Sequence, residues 1–174
     1  MGKFKAVPLS CSYDEGAFAN AGRGRTAAYG KLNGKDVYVI GLVSPSKYVT
    51  GKWCYLLSSE NGIDFNPVEL DNQIVGTVAQ ERFNVITFDT NTNTWYACRK
   101  GVYKSQDLVN WTETNFPSDC KAGTLTIIDG VIYVGLESDR GMMISKDGGE
   151  TVETLCNTYA IEFIAKHGNT LVGS

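Results

Sequence analysis

The sequence predicts an all-β fold, a β-propeller of four-stranded antiparallel blades, from three observations. A serine–acid turn motif recurs along the chain. Short runs rich in β-branched and aromatic residues, bounded by Gly, Asn and Asp, flank each copy. No stretch carries a convincing helical period.

The clearest copy of the motif is Ser145-Lys146-Asp147-Gly148-Gly149-Glu150-Thr151, followed by Val152. A second runs from Ser105 through Asp107 to Trp111, and is one residue shorter before its aromatic. A third is assigned to Ser58, Glu60 and Gly62, with Phe65 as its aromatic, and a weak fourth to Ser12–Phe18. The first serines, at 12, 58, 105 and 145, recur at intervals of about 40–50 residues, the length of one four-stranded blade. The motif has a local physical logic. Its Ser and acidic side chains can bond backbone groups and close a turn. Its Gly, at 62 and 149, supplies a positive φ, and the aromatic packs beneath a neighbouring hairpin. The acids of these turns are therefore expected to be structural.

The strands follow the same order in each repeat. The runs are 26–29, 37–41, 53–57 and 65–70, then 84–88, 95–98, 102–105 and 111–115, then 124–128, 131–136, 142–145 and 151–155. The ends read as half-blades: residues 1–18 as two last strands, and residues 157–174 as two first strands, 162–165 and 170–173, turned at His167. His167 is expected to be a turn residue. A single domain over 1–174 then holds blades at about 19–70, 71–117 and 118–156, plus a blade split between the termini. Pairing of the termini would close a four-bladed ring. Part of a larger propeller, completed by other chains or a longer one, fits equally well.

Bulk properties narrow the function. With 174 residues, 43% hydrophobic and 20% charged, the chain suits one globular domain with a core. A net charge of −3 supplies no basic field for nucleic acid. No apolar run reaches membrane-spanning length, and Met1–Ser10 lacks the apolar core of a signal peptide, so the chain is expected to be made in cytoplasm. Five cysteines without a Cys-x-x-Cys pair, and one histidine, argue for free thiols and against a zinc site. No metal or cofactor is expected.

In a propeller the serine turns line one rim, and the loops entering each first strand line the other. All five arginines, Arg23, Arg25, Arg82, Arg99 and Arg140, fall in loops of that second rim, with Tyr48. Arginine presents a planar donor fork suited to carboxylate, sulfate or phosphate. The second rim is therefore where an acidic ligand or partner is expected.

The turns resemble the Asp box, Ser-x-Asp-x-Gly-x-Thr-Trp, of BNR-repeat propellers, and with the rim arginines they resemble the sialidase-like superfamily. In sialidases, that resemblance implies three arginines holding a carboxylate and a Tyr nucleophile paired with Glu. This chain departs from the pattern. It lacks the Arg-Ile-Pro motif, its nearest text being Gly22-Arg23-Gly24-Arg25, and Tyr48, Tyr159, Glu81, Glu137 and Asp139 stand in no matching context. The expectation is thus a non-enzymatic binding or structural module, without catalytic residues, that presents a rim to a protein partner or glycan. Similar propellers occur in phage virions and tails, so assembly as a homo-oligomer or into a virion is the implied setting. The alternative is a glycan-binding or glycoside hydrolase domain. Fold resemblance does not decide between them.

Overall fold

The computed structural model describes residues 10–11, 24–47, 53–70, 83–98, 100–137 and 140–173. Fifteen strands are present and no helix is found among these residues. They form successive antiparallel meanders. The first sheet holds β2 (Gly24–Leu32), β3 (Lys35–Lys47), β4 (Trp53–Ser59) and β5 (Asp64–Glu69). The second holds β6 (Val85–Asp89), β7 (Thr94–Cys98), β8 (Val102–Ser105) and β9 (Thr112–Glu113). The third holds β10 (Ala122–Ile128), β11 (Val131–Leu136), β12 (Met142–Ser145) and β13 (Glu153–Cys156). The last is a pair, β14 (Ile164–His167) and β15 (Thr170–Gly173).

Local sequence accounts for the hairpins. Asn33-Gly34 and Asp129-Gly130 both take positive φ at two consecutive residues. That is the turn whose twist matches the flanking strands, and Asn-Gly and Asp-Gly are its preferred pairs. The sheets then stack through their first strands: β2 packs on β6, β6 on β10, and β10 on β14. Gly30 permits the first of these approaches, since a Cβ there would lie 2.4 Å from the Phe88 ring.

Each inner sheet is buried on both faces. β7 shows this residue by residue, because successive side chains alternate between faces. Trp95 and Ala97 join the core between the first and second sheets, with Val37, Val39 and Leu56. Tyr96 and Cys98 join the core between the second and third, with Leu125, Ile132 and Val134. Hydrogen bonds cross these boundaries. Trp95 Nε1 donates to Lys31 O at 3.0 Å, Ile86 N to Thr26 Oγ1 at 3.1 Å, and Asn84 Nδ2 to Ala122 O at 2.8 Å.

The ladder gives the repeats a common register. Tyr38 lies opposite Ser59, Trp95 opposite Ser105, and Ile132 opposite Ser145. One position inward along the hairpin, Tyr29 pairs with Tyr38, Phe88 with Trp95, and Ile127 with Ile132. These pairs occupy the face that looks back toward the preceding sheet.

The described residues hold only part of the termini. Strand β1 (Ser10–Cys11) pairs parallel with β5, at the outer edge of the first sheet. Among the described residues β15 is joined to β14 alone, and no closed ring is formed. The remainder of 1–18, including the weak turn at Ser12–Phe18, lies outside the described residues.

Candidate functional site

The turn between β8 and β9 is closed by two side chains. Ser105 Oγ accepts from the N–H groups of Asp107 (3.2 Å) and Leu108 (2.9 Å), and donates to Asp107 Oδ1 (3.1 Å). Asp107 Oδ1 accepts from Val109 N (2.9 Å) and Asn110 N (2.7 Å), and its Oδ2 from Asn110 Nδ2 (2.7 Å). Trp111 Nε1 donates to Leu108 O at 2.7 Å, which locks the aromatic into the turn. Leu108 takes the left-handed conformation that Gly62 and Gly148 take in the other two turns.

The turn between β12 and β13 repeats this plan with one more residue. Ser145 Oγ accepts from Gly149 N, and Asp147 accepts from Glu150 N, Thr151 N and Thr151 Oγ1. Gly149 has φ of 93°, and a Cβ there would meet Thr114 at 2.6 Å. This turn is thereby seated on the second sheet. Asn115 N donates to Gly149 O (2.8 Å), Asn115 Nδ2 to Glu150 O (2.7 Å), and Lys104 pairs with Glu150 at 2.6 Å.

The turn between β4 and β5 corrects the sequence reading by one residue. The capping hydroxyl belongs to Ser59, which accepts from Asn61 N and Gly62 N. Asn61, rather than Glu60, supplies the second cap: its Oδ1 accepts from Ile63 N and Asp64 N. Ser58 is half-buried in the strand opposite Asn66, and Glu60 is exposed and paired with Lys35 at 3.0 Å. The signal for the true register was present, since the spacing from Trp111 back to Ser105, applied from Phe65, lands on Ser59.

These bonds set the charge state of the acids. Partial burial opposes ionisation of Asp107, but the hydrogen bonds from Asn110, Val109 and Ser105 outweigh it, and its pKa is lowered. The Thr151 hydroxyl, then the Thr151 N–H, Ser145 and Glu150 N–H, hold Asp147 at about 2.

Two equivalent recesses open beside these turns. One, of about 410 Å³, is lined by Tyr96, Lys104, Gln106, Asp107, Asn110 and Thr112, among others. The other, of about 630 Å³, is lined by Ser59, Glu60, Asn61, Asp64 and Asn66 with Leu32 and Val37. An acid–amide pair of the turn lines each recess. Asn110 donates to Asp107 in the first, whereas Asn61 Nδ2 donates to Asp64 Oδ2 (2.8 Å) in the second. Acid and amide have traded places, and the pair is kept. Tyr96, Lys104, Gln106 and Asn110 were not singled out from the sequence, because two of them are strand residues whose common wall appears only when the strands pair.

At the opposite end of the sheets, Arg25 and Arg140 are both exposed. Arg140 Nη1 donates to Asp119 O at 3.0 Å, tying the β11–β12 loop to the segment before β10. Arg23, Arg82, Arg99 and Tyr48 lie outside the described residues, as do Glu81 and Asp139. Tyr159 is exposed, with positive φ, and its carbonyl accepts from Gly141 N. Glu137 is half-buried at the end of β11, where its N–H donates to Lys121 O. Cys98 and Cys120 are buried free thiols near this end; burial pushes Cys98 up to about 12. Among the described residues no group of His, Cys, Asp and Glu is placed to hold a metal ion.

No family model and no curated protein matches the sequence. Among solved structures, the chain is similar to a glycoside hydrolase family 74 xyloglucanase from Xanthomonas campestris, with a TM-score of 0.51 and 14% identity. The likeness covers 79% of this chain and 24% of that one, so the chain spans about a quarter of its neighbour's length. At this identity the likeness concerns the fold alone. Together with the stacked meanders it makes the fold all-β and β-propeller-like.

Proposed function

We propose that the chain is a non-enzymatic binding module of Asp-box propeller type, which presents a rim to a protein partner or glycan. The observation that carries this reading is the state of the carboxylates in the two recesses. Asp107 and Asp64 are engaged by neighbouring amides, and Glu60 by Lys35. A general acid near neutral pH needs a raised pKa, and that of Asp107 is lowered. The acids of the turn rim are thus engaged in closing its turns, which disfavours chemistry there.

The proposed contact surface for an acidic partner is the end of the sheets opposite the turns, where Arg25 and Arg140 stand exposed. Membership of a phage virion or tail is proposed on the resemblance of the repeat alone.

The test is a glycan array probed with the full chain, followed by a reducing-end assay on every glycan retained. The reading expects retention without release of new reducing ends. For an acidic glycan, Arg25→Ala with Arg140→Ala should weaken retention about 10-fold or more. Steady release of reducing ends would overturn the non-enzymatic reading in favour of a glycoside hydrolase.

A further inference from the structure

The recess beside the β8–β9 turn differs in chemistry from the one beside the β4–β5 turn. In the latter, the apolar side chains Leu32 and Val37 form part of the wall, and the acid Glu60 is taken up by Lys35. In the former, every lining side chain carries a polar group, and Gln106 follows the turn serine where Glu60 follows Ser59. Its volume of about 410 Å³ lies within the range of small-molecule sites, about 300–1,000 Å³.

The walls of this recess are fixed before any ligand arrives. The turn that carries Asp107 and Asn110 is locked by the Ser105 hydroxyl and by the buried side chains of Leu108 and Trp111. From the other side the turn of the third sheet closes in. Lys104 is paired with Glu150 there, and a Cβ on Gly148 would lie 3.2 Å from the Tyr96 hydroxyl. Walls held in this way cost little to order on binding.

Charge and hydrogen-bonding capacity then select the ligand. Asp107 and Glu150 set two carboxylates against the one ammonium of Lys104, which Glu150 already engages, so an anion is disfavoured. The remaining groups are neutral and can both donate and accept. Among the described residues the Gln106 amide has no hydrogen-bond partner, and it offers two donors and an acceptor. Asn110 gives one N–H to Asp107 and keeps its carbonyl. The Thr94 and Thr112 hydroxyls donate to backbone carbonyls and keep the capacity to accept. Ligand hydroxyls, each donor and acceptor at once, match this set, whereas an apolar ligand would strand it.

We propose that the recess beside the β8–β9 turn binds a neutral sugar unit, whose hydroxyls bond to Gln106, Asn110 and Thr112. The site lies at the turn end of the sheets, opposite Arg25 and Arg140. The inference goes beyond the reading of an acidic partner at that other end and does not depend on it.

Titration of the nitrogen-labelled full chain with the methyl glycosides of glucose, galactose, mannose and N-acetylglucosamine tests it, read on the side-chain amide signals of Gln106 and Asn110. At least one glycoside is expected to shift both signals saturably in the millimolar range. N-acetylneuraminic acid, which carries a carboxylate, should leave both in place. Gln106→Ala, at an exposed position, should weaken that glycoside about 5-fold or more, read on Asn110. Thr112→Val should weaken it as well. Arg25→Ala with Arg140→Ala should leave it unchanged, which separates this site from the one at the other end. Amide signals that none of the four glycosides moves overturn the proposal. So does an acid that moves them as far as the best glycoside, and so does binding that both Gln106→Ala and Thr112→Val leave intact.

Discussion

The ring pair Phe88–Trp95 and the ring pair Tyr29–Tyr38 have almost the same geometry, but Trp95 is completely buried and Tyr38 is not. The comparison separates two things that usually go together. Strand register shapes a sheet face, since both pairs sit opposite or next to the turn serine. Cover decides which rings stand on it. Under a neighbouring sheet the rings are Phe and Trp, and the indole N–H is satisfied by Lys31 O. In the open position they are tyrosines, whose hydroxyls can face water. The hydroxyl of Tyr29 interacts with Asp36, which raises its pKa, and Asp36 also pairs with Lys31 at 2.9 Å.

The strongest way to break this comparison is to truncate both faces. Trp95→Ala should destabilise the chain by about 3–5 kcal/mol in urea unfolding, the usual cost of emptying a large buried aromatic site. Tyr38→Ala should cost less than about 1 kcal/mol. Equal losses would mean that the two faces are not distinguished by cover.

The next largest effect concerns the turns that hold the register. Ser105 is 4% exposed and its hydroxyl serves two N–H donors. Ser105→Ala should therefore cost about 1–3 kcal/mol, as buried donors lose their partner. Ser59→Ala belongs in the same range, whereas Ser58→Ala should fall within about 0.5 kcal/mol of wild type. The reverse order for this serine pair, read by urea unfolding, would restore the register expected from sequence.

A smaller and pH-dependent effect comes from Asp147. Its folded pKa of about 2 lies below the value of about 3.9 for a free aspartate, so it stabilises the fold above that value. That contribution should fade as pH falls from about 4 toward 2. Thermal unfolding of Asp147→Asn should show a shallower loss over this window than wild type. Identical acid profiles would show that the carboxylate is not held by its turn.

Much of the architecture was legible because its determinants are local. Asn33-Gly34 and Asp129-Gly130 announce hairpins, and a Ser with an acid two residues on announces a capped turn. The slip from Ser59 to Ser58 arose where two serines adjoin and only the aromatic spacing distinguishes them. The recess walls were not legible, because Tyr96 and Lys104 meet Asn110 only through strand pairing and the approach of the next turn. The parallel pairing of β1 with β5 has no local signal at all. Neither did the sequence reveal that Tyr29 and Tyr38 are exposed, since they look like ordinary strand aromatics.

Hydroxyl-radical footprinting of the wild-type chain tests the central claim most directly, because it reads the exposure of each ring. Phe88 and Trp95 should be protected. Tyr29 and Tyr38 should be modified. Protection of Tyr38 equal to that of Trp95 would contradict the account.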